Sequence, residues 1–177
     1  MRSVARLALL ACFALAAPTA AQGYSLESRV DEVDGSETRF MRGNVLGGGG
    51  RNDARVELNA QRATAAGRSR FTLALRYEWS GWMFIEPGPS LILMADGERI
   101  VLEGEGSGAH RQVGDRGSVT EWSYYVVTPE QIERIATAES VTVRIIGSRF
   151  NLDRDLTDEN RQRFREFVHT FASPHSP

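Results

Sequence analysis

Cysteine is nearly missing from this sequence: the 177 residues contain one, Cys12, and no lysine, so all 21 basic residues are arginine. A single cysteine excludes a disulfide framework, and its place in an N-terminal apolar run removes thiol chemistry from whatever follows that run. The arginine-only basic set reads as the codon bias of a GC-rich bacterial genome and carries no function. Histidine is scarce as well. His110, His169 and His175 lie far apart, without the i, i+4 pair of the usual helical zinc site, so no metal site is expected. Dinucleotide, P-loop and nucleophile-elbow motifs are absent, and no cofactor is implied.

What is present begins with an export signal. Arg2 and Arg6 precede an uninterrupted apolar stretch from Leu7 to Ala17, and Pro18-Thr19-Ala20-Ala21 places small residues where a signal peptidase cleaves. The stretch falls short of the roughly 20 residues needed to cross a bilayer. Residues 1–21 are therefore read as a signal peptide cut after Ala21. Leu9-Leu10-Ala11-Cys12 also resembles a lipoprotein box, but the apolar run continues past Cys12, which favours the soluble product. Cleavage leaves 156 residues, one domain's worth, with 19 basic against 23 acidic side chains and a net charge of −4. That charge argues against nucleic acid as a partner, and no later stretch is long enough for a membrane span.

The rest of the chain reads mostly as strands. Residues 22–38 are polar and suggest a loosely ordered lead-in with a short strand at its end; residues 39–172 form a single β-rich domain, and 173–177 a disordered tail. Phe71, Leu73, Leu75, Tyr77 and Trp79 alternate with polar residues, which gives the clearest strand and puts Trp79 on its buried face. Leu91–Ala95 and Glu98–Leu102 flank Asp96-Gly97, a tight-turn signal for a hairpin. Gly47–Gly50 reads as a loop, and the stretch from Gly104 to Gly117, which includes Gly104-Glu105-Gly106-Ser107-Gly108, as a loop or a weak pair of edge strands. Thr128-Pro129-Glu130-Gln131 is a capping box opening a short helix with Ile132, Ile135 and Ala136 on one face. From Thr157, the spacing of Phe164, Phe167, Val168 and Phe171 predicts a C-terminal amphipathic helix. The expected class is α+β: about eight strands in a mostly antiparallel sheet, bent into a sandwich or partial barrel, plus these two helices.

Candidate sites each carry an ordinary explanation. Trp82, His110 and Arg111 are the candidate ligand-binding residues: the indole offers a rigid face with one polar handle, and the other two follow the glycine-rich stretch. Asn151, Asp153 and Asp155 place oxygens as a calcium loop does, but Leu156 stands where an EF-hand needs glycine and Gln162 where it needs glutamate. Glu103 and Glu105 share a strand end without a partner that would set a catalytic spacing. No catalytic residue is assigned. The expectation is a non-enzymatic binding or interaction module of the bacterial cell envelope, periplasmic or secreted, with an envelope protein, glycan or lipid as partner. The alternatives are a small-ligand carrier for a lipid or glycan, or an envelope polymer hydrolase using Glu103, Glu105 or His110.

Overall fold

The computed structural model describes residues 23–48 and 53–172. The residues expected to form an export signal, their expected cleavage point, the expected tail 173–177 and the last two glycines of Gly47–Gly50 lie outside these residues. Within them the chain forms β1 (Ser25–Val30), β2 (Glu37–Arg42), β3 (Arg55–Ala65), β4 (Arg68–Trp79), β5 (Gly88–Ala95), β6 (Glu98–Gly104), β7 (Arg111–Val113), β8 (Val119–Val127), α1 (Pro129–Thr137), β9 (Val141–Ile146), β10 (Asn151–Leu156) and α2 (Asp158–Phe167). Every strand pairing is antiparallel, in the order β1-β2-β3-β4-β8-β6-β5-β9-β10, with β7 on β8. The sheet is open and is not a closed barrel.

The sheet turns a corner between β8 and β6, which share one residue pair, Gly104 opposite Tyr125. Glycine is required there, since a Cβ on Gly104 would lie 2.7 Å from the Tyr125 ring. On the far side Leu46 N–H donates to Val56 O and Gly47 N–H to Asp155 O, both at 2.9 Å, so the segment after β2 bridges β3 and β10. The curled sheet encloses one core. Leu58, Leu73 and Leu75 from one half meet Leu91, Val143 and Ile145 from the other, with Ile132, Ile135, Phe164 and Phe167 of the helices in the same cluster.

Both helices start as their sequences dictate. Thr128 and Thr157 each accept the N–H of the residue three later while that residue's side chain takes the cap's own N–H, a complete capping box at each end. α2 then widens into a π-helical turn at Val168–Ala172.

Two expectations change, and the calcium-like spacing gains its explanation. Ser25–Val30, within the stretch read as a lead-in, pairs with β2 along its whole length, because its polar residues belong to a strand with a wet outer face. The alternate oxygens of Asn151, Asp153 and Asp155 follow the two-residue period of β10. Asp153 takes two 2.7 Å hydrogen bonds from Arg144 and Asp155 accepts one from Thr142. Trp79 is 38% exposed, because it is the last residue of β4, where the ring of Phe150 meets it edge-on at 6.3 Å.

The Asp96-Gly97 hairpin forms with positive φ at both residues, 49° and 83°. The Asp96 carboxylate also accepts N–H groups of Ser140 (2.8 Å) and Glu139 (3.1 Å), tying the turn to the start of β9. The Ser140 backbone bond, followed by that of Glu139, holds the Asp96 carboxyl below its ordinary value of 3.8. A depressed carboxylate pKa gives stability that is present above the unfolded value and is lost as pH falls through the folded one. Asp96→Asn is expected to lower the melting temperature at neutral pH, and its difference from the parent should vanish in strong acid. A difference that persists unchanged in acid, measured by thermal denaturation across pH, would show that the carboxylate charge is not what holds the turn.

Candidate functional site

The helices contribute to the core face of the sheet, which leaves the opposite face of β1–β4 and β8 uncovered among the described residues. Side chains on that face alternate with core residues, so its composition follows directly from strand period. Cross-strand register builds it in rows: Glu57, Arg76 and Trp122 form one, and Asn59, Ala74 and Tyr124 the next. Gln61 lies opposite Phe40, and Phe40 opposite Glu27. Ala74 has only a methyl group between an amide and a phenol, so the face dips at its centre. The resulting groove has a volume of about 720 Å³ and is lined by these residues together with Arg29, Arg42 and Arg55. That volume falls within the range of small-molecule sites, roughly 300–1,000 Å³.

Charge in the groove is organised by ion pairs. Glu57, whose side chain is 10% exposed, accepts from Arg55 Nε at 2.9 Å and from Arg76 Nη1 at 3.0 Å. Arg76 also reaches Glu78 at 2.7 Å. Arg42 lies 3.6 Å from Glu27, and its guanidinium sits over the Phe40 ring at 5.1 Å. These contacts fix the side chains and leave outward N–H groups, amides and ring faces to meet a ligand. Four arginines against two glutamates make the lining positive, in a chain whose net charge is −2.

The core face of β8 carries the most buried charge in this half of the sheet. Glu121, fully buried, accepts the N–H groups of Met83 (2.6 Å) and Phe84 (2.8 Å) on Oε1, and that of Ile85 (3.0 Å) on Oε2, where the Ser107 hydroxyl also donates. Arg111 Nε lies 3.8 Å from the same carboxylate. Phe84 has φ 55°, a left-handed conformation unusual for an aromatic residue, and this lets three successive N–H groups converge on one anion. The neighbouring Tyr77 hydroxyl donates to Gly81 O at 2.8 Å; burial, and then the Glu121 charge, push that phenol up, so it stays protonated.

No protein-family model matches this chain, and no curated protein or solved structure shows significant similarity to it. Its chemistry is read from the geometry alone.

The structure brings two of the three candidate ligand-binding residues together. Trp82 stacks on Phe84 with ring centroids 6.0 Å apart, and Arg111 lies over the other residue of that pair, Phe84, at 4.6 Å. His110 points elsewhere, its ring edge-on to Tyr124 at 5.4 Å beside the groove. Glu103, Glu105 and His110 are exposed, and none of them lines the groove. Among the described residues no three His, Cys, Asp or Glu side chains gather as a metal site would require. No helix among them is long and apolar enough to cross a membrane.

Sequence reasoning missed Trp122, Tyr124, Arg76 and Glu57, the centre of the groove. A signal was available: the outward positions of β8 are Thr120, Trp122, Tyr124 and Val126, bulkier than a strand's wet face needs. The glycine-rich stretch from Gly104 is also not a free loop. Ser107 is fully buried, and Gly106 packs on the backbone of Ile85 and Pro87.

Proposed function

We propose that this protein is a non-enzymatic binding module of the bacterial cell envelope, exported by its N-terminal signal, and that the groove on the outer sheet face receives a glycan. One observation carries the reading: Trp122 and Tyr124 stand beside Arg76, Asn59 and Glu57 over the low floor at Ala74, in a groove left open by the helices. Aromatic faces suit the C–H faces of sugar rings, and planar amide, carboxylate and guanidinium groups suit their hydroxyls. The mixed polar lining favours a glycan over a lipid, which would need an enclosed apolar chamber.

The test is calorimetric titration of the exported protein with soluble oligosaccharides from bacterial envelope polymers, beside the variant Trp122→Ala. Loss of a central aromatic anchor is expected to weaken binding by roughly 30-fold, about 2 kcal/mol. The melting temperature should move little, because Trp122 is half-buried on the outer face. Equal affinity in the variant would remove the groove from the reading, and no heat with any oligosaccharide would remove the glycan.

A further inference from the structure

A second surface lies at the end of the sheet where β4 finishes. Phe84 is only half-buried there, yet it holds a positive φ that a bulky side chain adopts at a cost. Glu121 imposes this conformation from below through three backbone N–H groups. The outcome is a phenyl ring presented with two guanidiniums over it, Arg111 at 4.6 Å and Arg149 at 5.1 Å, and with Trp82 stacked alongside. Among the described residues Arg149 makes no ion pair, and Arg111 spends its Nε on Ser107 at 3.1 Å. A guanidinium ordered by a ring face keeps its in-plane N–H edges free for a carboxylate. Tryptophan, phenylalanine and arginine gathered in this way form the composition of a protein-binding hot spot.

The complementary shape is on the same chain. The turn joining β1 to β2 carries Asp31, Glu32 and Asp34 around Val33, which is 96% exposed. The turn is ordered before any partner arrives: Asp31 accepts the Val33 N–H and Asp34 the Ser36 N–H, each at 2.8 Å. An acidic tip with one apolar side chain at its apex fits a ring flanked by two arginines. The two surfaces cannot meet within one molecule. Register places the turn beside the Arg68 end of β4 and the ring cluster beyond its Trp79 end, and a strand of 12 residues at ~3.3 Å each separates them by roughly 35 Å.

We propose that copies of this protein associate head to tail, the Asp31–Asp34 turn of one copy seating Val33 on Phe84 and Trp82 of the next, with its carboxylates on Arg111 and Arg149. Such an interface is heterologous, so it repeats into a ring or a filament and does not stop at a symmetric dimer. It is independent of the glycan groove, which uses neither surface.

Sedimentation velocity on the purified protein at increasing concentration tests this. The average mass should rise with concentration and fall with added salt. Arg149→Glu and Glu32→Arg, both at exposed positions and neither a side chain that orders the turn, should keep the parent's melting temperature and each weaken self-association by roughly 100-fold. Mixing the two variants should restore association, because the acidic turn of the first meets the intact arginine surface of the second. A parent that stays monomeric at every concentration overturns the proposal. So does self-association that survives either variant, or a mixture that remains monomeric.

Discussion

Glu121→Gln should be among the most damaging single-atom changes in this protein, costing about 4 kcal/mol and lowering the melting temperature by roughly 12 °C. The carboxylate has two oxygens and each takes two donors: Met83 and Phe84 N–H on one, Ile85 N–H and the Ser107 hydroxyl on the other. A carboxamide keeps one oxygen and replaces the other with an NH₂ group that faces donors. The Ser107 hydroxyl can rotate to accept, but the backbone N–H groups cannot, and at a fully buried position no water replaces the lost acceptor. The remaining oxygen serves Met83 and Phe84, so the NH₂ group opposes the Ile85 N–H and the convergence of three donors around the positive φ of Phe84 is broken. Thermal unfolding of the variant decides the matter; a shift of only a degree or two would mean that the 83–85 segment is held by packing and that the carboxylate is incidental.

Gly106→Ala should cost about 3 kcal/mol, and Gly108→Ala, two residues away, less than about 0.5 kcal/mol. Gly106 has φ 70°, and a Cβ there would sit 2.7 Å from Pro87 N and 2.8 Å from Ile85 O, both backbone atoms that cannot swing aside. Gly108 has nothing within 4 Å of the same added atom. Composition gives the two glycines the same meaning, so the pair separates a free loop from a segment packed between β6 and the 83–87 turn. Comparable melting temperatures for the two variants would restore the loop reading.

How far the sequence could be read depended on whether the signal was local. The capping boxes at Thr128 and Thr157, the Asp96-Gly97 turn and the alternation of β4 involve residues within a few positions of one another, and they appear where the pattern put them. β1 and β10 were missed because their outward faces are crowded with polar residues, and local composition then imitates a loop or a calcium site. Trp79 followed the period of its strand but lies at the strand's last residue, where the core has ended.

The candidate site was harder to see because it is made by register. Glu57, Arg76 and Trp122 come from three strands, and only the pairing of β3 with β4 and of β4 with β8 sets them in one row. The same holds for Glu121, which is 36 to 38 positions from the three N–H groups it binds. By itself the sequence determined the class of the fold, its two helices, the Asp96-Gly97 hairpin and which face of each long strand is apolar, since periodicity and capping act over a few residues. Strand order, the corner at Gly104, the groove and the burial of Glu121 were decided by tertiary structure, because each depends on partners brought together only when the sheet closes over its core.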